Sequence, residues 1–181
     1  MIIIDDFIPL EEQEILKKHI LGNNFPWFFV SNITNEDDTD NLIPAFSHVF
    51  KHKGQVNSSM YEMIEFIGKK GAEQFDSNYN NVFQVRSFFQ LPSNNNDTNP
   101  SHIDLEEPHV VVLYYVTDSD GDTILYNKKY EGQIVDMSDV EIVQRVTPKQ
   151  GRVLIFDGYT YHSSSRPKDN LRCVINFDVI K

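Results

Sequence analysis

The sequence predicts a mainly β protein, an antiparallel sandwich or barrel with helices on its N-terminal side. Three observations point there. From Val82 onward, short apolar runs follow one another at strand spacing, separated by turn-forming residues. The two stretches with helical spacing both precede that point. No Gly-, Ser- or Pro-rich linker divides the chain. Residues 1–181 are therefore expected to form one domain, with 1–80 as helical support and outer strands and 81–181 as the β core.

Taken in order, Ile2–Ile4 reads as a short apolar strand. Residues 9–22 read as a helix, because the glutamates come first, the lysines come last and Gly22 follows. Residues 25–30 are aromatic and strand-like, and 34–41 read as an exposed acidic loop. A second helix is expected from a Ser58 cap to about Phe75, with Met60, Ile64 and Ile67 at roughly helical spacing. Residues 82–92 then read as a strand and 93–100 as a polar loop. Further strands are expected at 109–116, 122–126, 141–146, 152–156 and 171–180. The Asp118-Ser119-Asp120-Gly121 run is a strong turn signal between the first two. Pro148 and Gly151 mark another turn.

Composition narrows the function classes. The formal net charge of -11 disfavours a phosphate backbone as partner, since such binding needs clustered Lys and Arg. Cys173 is the single cysteine, so an intrachain disulfide is impossible and a reducing, cytoplasmic setting is expected. The opening M-I-I-I-D-D-F lacks the features of a signal peptide. No apolar run approaches the roughly 20 residues of a membrane helix.

The residues that carry chemistry are His102 and Asp104 in S-H-I-D, and His162 in Y-T-Y-H-S-S-S. Two imidazoles and one carboxylate are the ligand set of a non-haem Fe(II) that keeps open positions. Side chains alternate along a strand, so His102 and Asp104 in H-x-D are expected to share a face and to grip one metal. Each element alone is ordinary, because most such triplets and single histidines are surface polar residues. Arg172 follows His162 by ten positions and could anchor a dicarboxylate. The last strand alternates Cys173, Ile175, Phe177 and Val179 with Arg172, Val174, Asn176 and Asp178. The second set faces either solvent or a barrel interior. Tyr115 shares a face with Val111 and Leu113, as a core residue or as a site residue, while Tyr114 points the other way. Of the other histidines, His109 lies five residues past Asp104, out of the H-x-D register. His19, His48 and His52 default to surface roles. Arg86 reads as a surface arginine, with a pocket-facing role as the alternative, and Arg166 as exposed-loop charge, with a substrate-side role as the alternative.

In order, S-H-I-D, Y-Y-V-T-D-S-D-G-D-T, T-P-K-Q-G-R-V-L-I-F, H-S-S-S-R-P and R-C-V-I-N-F resemble the 2-oxoglutarate- and Fe(II)-dependent dioxygenases. Within that superfamily the chain is similar to the prolyl 4-hydroxylase-like group, over about residues 82–180. Its shortness and the F-P-W-F-F near the front are also similar to small oxygenases carried by bacteriophages. The resemblance implies a double-stranded β-helix (a jelly-roll, cupin-like) with helices bracing one sheet. It implies His102, Asp104 and His162 as iron ligands, and Arg172 as bidentate partner of the distal carboxylate of 2-oxoglutarate. Tyr115, Asn176 and Thr123 are implied as further co-substrate contacts; Thr123 follows G-D where relatives often show G-G-E-T. The implied cofactors are Fe(II), 2-oxoglutarate and O2, with ascorbate as a reductant.

The implied reaction hydroxylates an aliphatic C–H, foremost a prolyl residue of a protein or peptide, with release of succinate and CO2. A phage-borne enzyme would work in its host's cytoplasm. Alternative targets are a free amino acid, another small metabolite or an alkylated base, the last disfavoured by the acidic charge. A non-catalytic jelly-roll that binds a ligand or partner is the alternative of another class. Two departures stand out. Many prolyl hydroxylases use lysine where Arg172 stands. The strand before S-H-I-D also lacks the tyrosine and Gly-Gln pair often seen in that group, which weakens the substrate inference and leaves the iron chemistry untouched.

Overall fold

The computed structural model describes residues 1–34, 42–94, 98–132 and 139–181. The expected acidic loop lies almost wholly outside these residues, and the expected polar loop at 93–100 lies partly outside. Helix α1 spans Leu10–Ile20, with Glu11 and Glu12 in its first turn and Lys17, Lys18 and His19 in its last. The second helical stretch is broken in two. Ser58 caps a 3-10 turn, Ser59–Met63, by accepting a hydrogen bond from the Met60 N–H at 3.3 Å. Ile64 then leaves helical geometry, and α2 runs Glu65–Phe75.

The strands are β1 (Ile2–Ile4), β2 (Phe28–Val30), β3 (Ala45–His52), β4 (Gln55–Val56), β5 (Asn81–Gln90), β6 (His109–Tyr115), β7 (Thr123–Lys129), β8 (Ile142–Val146), β9 (Val153–Asp157), β10 (Thr160–Ser164) and β11 (Arg172–Ile180). They form two antiparallel sheets. The larger runs β1-β9-β6-β11-β5-β3-β2, with β4 beside β3, and the smaller runs β10-β7-β8. The double-stranded β-helix expected from the sequence is the observed fold, and its larger sheet carries the helices.

Strands β6 and β11 lie at the centre of the larger sheet and are buried on both faces. One face joins Val110, Val112, Tyr114, Cys173, Ile175, Phe177 and Val179 to Leu16 and Ile20 of α1 and Ile67 and Ala72 of α2. The other face turns Val111, Leu113, Tyr115 and Val174 inward against Leu125, Val146, Leu154 and Phe156. The solvent-facing option for the Arg172, Val174, Asn176 and Asp178 face is thus excluded. α2 sits close to the sheet because Gly68 and Gly71 have no side chain; a Cβ at either would overlap Phe177 or Val112.

The sequence pattern missed β3 and β10. In A-F-S-H-V-F-K-H, Ser47 and His48 point to opposite faces and are both polar and buried, which breaks the apolar alternation. His48 is therefore no surface residue. It is buried among Phe25 and Phe50, with Nδ1 2.8 Å from the Pro26 carbonyl oxygen. β10 reads T-Y-H-S-S and is polar because it lines the cavity described below.

Candidate metal centre

The backbone brings His102 and His162 face to face. His102 forms an isolated antiparallel bridge with His162 of β10. Each N–H donates to the other's carbonyl, at 2.9 and 3.0 Å. The imidazole rings lie 4.6 Å apart, centroid to centroid. His102 and Asp104 do not share a strand, contrary to the alternation expected from H-x-D. Asp104 sits in a bend two residues past the bridge, and that bend carries its carboxylate back under the two rings.

Both rings are oriented in the same way. Nδ1 of His102 lies 3.2 Å from the Pro100 carbonyl oxygen, and Nδ1 of His162 lies 3.1 Å from that of Thr160. A carbonyl only accepts, so each Nδ1 carries the hydrogen and each Nε2 is directed at Asp104. Nε2 of His162 is 3.3 Å from Oδ2 of Asp104, and Nε2 of His102 is 4.0 Å from Oδ1. One ligand atom from each of the three residues lies within 4.8 Å of the others. Borderline nitrogen and hard oxygen donors at this spacing fit one first-row divalent ion with bonds of about 2.1 Å.

The electrostatics follow from burial. Burial pushes the Asp104 carboxyl upward, but His162, His102 and Arg86 outweigh it and hold the group far below the usual carboxylate range. Burial favours neutral His162, yet the Asp104 carboxylate outweighs that and raises its pKa. His102 is lowered to about 4, by burial first and then by the charge on His162. Without metal, the cluster is a carboxylate paired with His162, beside a neutral His102.

Two further groups grip Asp104. Nδ2 of Asn176 donates to Oδ2 at 3.1 Å, and Nη2 of Arg86 lies 3.3 Å from Oδ1. Asn176 thus meets the carboxylate of Asp104, while its own Oδ1 is buried without a hydrogen-bond partner. Arg86 is no free surface arginine; it lines the cavity and lies over the Phe88 ring. Arg86 pairs with Asn176 across β5 and β11, and that register was the missing signal.

Arg172, Thr123, Asn176, His102, Asp104 and His162 all line one cavity of about 160 Å³, walled by Phe88, Val111, Leu113, Phe156 and Val174. Arg172 is only 4% exposed. Its Nε donates to the Gly121 carbonyl at 2.9 Å, its Nη2 to Thr123 Oγ1 at 3.0 Å, and its Nη1 to Gln90 Oε1 at 3.4 Å. Among the described residues, no carboxylate forms an ion pair with it. A buried cation held only by neutral oxygens is costly unless an anion joins it. Tyr115 is fully buried behind this group and donates to Thr123 Oγ1 at 2.8 Å. Thr123 therefore accepts from two donors and keeps its own hydroxyl hydrogen to donate. Arg166 lies apart, half-buried at a neighbouring cavity with Phe29, Phe46 and Leu91, so it is not exposed-loop charge.

No family model and no curated protein matches the sequence. Solved structures do match. A viral collagen prolyl hydroxylase from Paramecium bursaria Chlorella virus-1, in complex with 2-oxoglutarate, is 16% identical, with 98% of this chain and 94% of that chain covered and a TM-score of 0.58. A Trichoplax adhaerens prolyl hydroxylase, bound to a peptide fragment of a hypoxia-inducible factor oxygen degradation domain, is 15% identical over 99% and 82%, with a TM-score of 0.64. SnoK, a non-haem α-ketoglutarate-dependent carbocyclase of nogalamycin biosynthesis, is 12% identical over 98% and 78%, with a TM-score of 0.70. The fold is that of the 2-oxoglutarate/Fe(II) oxygenases. Among the described residues, no helix is long and apolar enough to cross a membrane.

Proposed function

We propose that this protein is an Fe(II)- and 2-oxoglutarate-dependent dioxygenase that hydroxylates an aliphatic C–H, foremost in a prolyl residue of a protein or peptide. One observation carries the reading: a two-histidine, one-aspartate cluster and an uncompensated buried guanidinium line the same small cavity. His102, Asp104 and His162 would hold the ion. Bound Fe(II) with 2-oxoglutarate supplies oxidative decarboxylation to succinate and CO2, with one oxygen atom of O2 passing to the substrate carbon. Ascorbate would serve to keep the iron ferrous.

The chain's own residues would bind, orient and shield. Arg172 offers a rigid fork to the distal carboxylate, and its bonds to Gly121 and Thr123 fix that fork before the co-substrate arrives. The free Thr123 hydroxyl hydrogen adds a donor to the same carboxylate, and Tyr115 sets its direction. Asn176 and Arg86 keep the Asp104 carboxylate in place, as outer partners of a metal ligand do. Phe88, Leu113, Phe156 and Val174 exclude water around the reacting groups.

The viral collagen hydroxylase and the peptide-bound Trichoplax enzyme favour a prolyl peptide. The carbocyclase, with the higher TM-score, favours a second reading: the same chemistry on a small molecule. Incubation with Fe(II), 2-oxoglutarate, ascorbate and a panel of proline-containing peptides and free amino acids separates them. A gain of one oxygen on a peptide, stoichiometric with succinate, supports the first reading. Gain on a free amino acid alone supports the second. Absence of succinate with every substrate, together with failure to bind 2-oxoglutarate, overturns both.

A further inference from the structure

Asp104 belongs to a second group of potential ligands. His109 opens β6 and Asp178 lies near the end of β11, and one ligand atom from each lies within 4.8 Å of the others and of Asp104. His109 is 1% exposed and Asp178 is fully buried. Nδ1 of His109 lies 2.8 Å from the Glu107 carbonyl oxygen. As at His102 and His162, the carbonyl two residues earlier in the chain holds the Nδ1 hydrogen, and in neutral His109 this leaves Nε2 as a bare lone pair. That Nε2 is buried with no hydrogen-bond partner. Asp178 presents the complementary picture: Oδ2 accepts from Gln84 Nε2 at 3.0 Å, and Oδ1 is buried with no partner.

Buried polar atoms in folded proteins are rarely left unmet. Here two such atoms, His109 Nε2 and Asp178 Oδ1, lie beside the Asp104 carboxylate. The space is provided for the ring: a Cβ at Gly158 would collide with the His109 imidazole, and the Gly158 N–H donates to the His109 carbonyl at 2.9 Å. The residue after Asp157 is thus a glycine for the sake of His109.

We infer that His109 Nε2, Asp178 and Asp104 form a second site for a divalent transition-metal ion, which shares Asp104 with the first. One imidazole and two carboxylates suit Zn2+, Mn2+, Co2+ or Fe2+, with Asp178 supplying a carboxylate of its own and Asp104 a shared one. The Glu107 carbonyl and the Gln84 amide act as the outer partners that fix tautomer and direction. A carboxylate shared by two ions is the usual bridge of two-metal centres, whose ions sit about 3.5–4 Å apart. The site goes beyond the proposed oxygenase chemistry and depends on neither His102 nor Arg172.

The test is metal stoichiometry in the full chain. Chelator-stripped protein is dialysed to equilibrium against Co(II), and bound cobalt is measured by mass spectrometry alongside its visible d–d absorption. The expected result is two equivalents for the parent. One equivalent is expected for Asp178→Asn, for His109→Gln and for His102→Ala, the first two lacking the same part of the cobalt spectrum and His102→Ala the other part. A parent that binds one equivalent, kept by Asp178→Asn and lost by His102→Ala, overturns the second site and leaves the oxygenase reading standing. One equivalent lost by Asp178→Asn and kept by His102→Ala does the reverse. Should either second-site variant fail to fold, His102→Ala still decides: a single equivalent in the parent that His102→Ala loses overturns the second site.

Discussion

Replacing Arg172 with alanine separates stability from binding. The guanidinium is buried, donates to three neutral oxygens, and has no carboxylate partner among the described residues. In the free protein it is an uncompensated charge, so its loss should cost little stability and leave the melting temperature within a few degrees of the parent. In the complex, the distal carboxylate of 2-oxoglutarate would lose its only charged partner. Breaking a buried ion pair by removing one member costs about 3–5 kcal/mol. At 1.4 kcal/mol per tenfold, that weakens 2-oxoglutarate by roughly two to three and a half orders of magnitude. Arg172→Lys keeps the charge but loses the fork, so it should fall between. The assay is calorimetric titration of 2-oxoglutarate into Mn(II)-loaded protein under matched conditions, with thermal melts as the folding control. A folded Arg172→Ala protein that binds 2-oxoglutarate like the parent would refute the assignment.

Other perturbations reach different parts of the account. Tyr115→Phe removes the donor to Thr123 and should weaken 2-oxoglutarate by about 1 kcal/mol, the net worth of one hydrogen bond, in the same calorimetric assay. Gly71→Ala drives a methyl group into Val112, and overpacking of this kind costs about 1–3 kcal/mol, a drop of roughly 2–12 °C in a scanning calorimeter. An unchanged melting temperature would mean that α2 sits farther from the sheet. His162 holds its proton to a pH above the ordinary 6.5, and metal must displace that proton. Co(II) affinity should therefore climb with pH through neutrality, by up to about tenfold per unit for one proton, and flatten once His162 is neutral. Calorimetry in buffers of differing ionisation enthalpy counts the released proton, and a flat profile from pH 6 to 8 would count against the ligand. In the metal-free protein His162 and His102 link stability to pH in opposite senses. The raised His162 contributes stability that is complete below pH 6.5 and lost as pH rises through its folded value. The depressed His102 costs stability as pH falls from 6.5 toward 4, because the unfolded chain takes up the proton first. Melts of the metal-free protein across pH 4 to 9 resolve both contributions.

Apart from β10, the strands after Val82 are legible because their apolar periods are strong and punctuated by turn residues. β11 was read residue by residue, since nine alternating positions leave little freedom of register. β3 and β10 were not legible, because their buried positions carry Ser47, His48 and His162, so burial no longer coincides with hydrophobicity. The same cause hid part of the site. His102 and Asp104 meet through a bridge and a bend, which a period-two pattern does not describe. His109 was set aside on strand register, yet the turn between Asp104 and β6 folds it back to within 4.8 Å of the same carboxylate. For Arg86 the choice between pocket and surface rests on its pairing with Asn176, 90 residues further along, which local sequence does not encode. What the chain does reveal locally is donor chemistry, and what it withholds is the long-range register that gathers the donors.

The central claim is that His102, Asp104 and His162 hold one ferrous ion facing Arg172. Anaerobic addition of 2-oxoglutarate to the Fe(II)-loaded protein, followed by visible absorption, tests it most directly. A weak metal-to-ligand charge-transfer band that saturates at one 2-oxoglutarate per chain and vanishes in His162→Ala is the expected result. No band with the parent, or an undiminished band in folded His162→Ala, would contradict the claim.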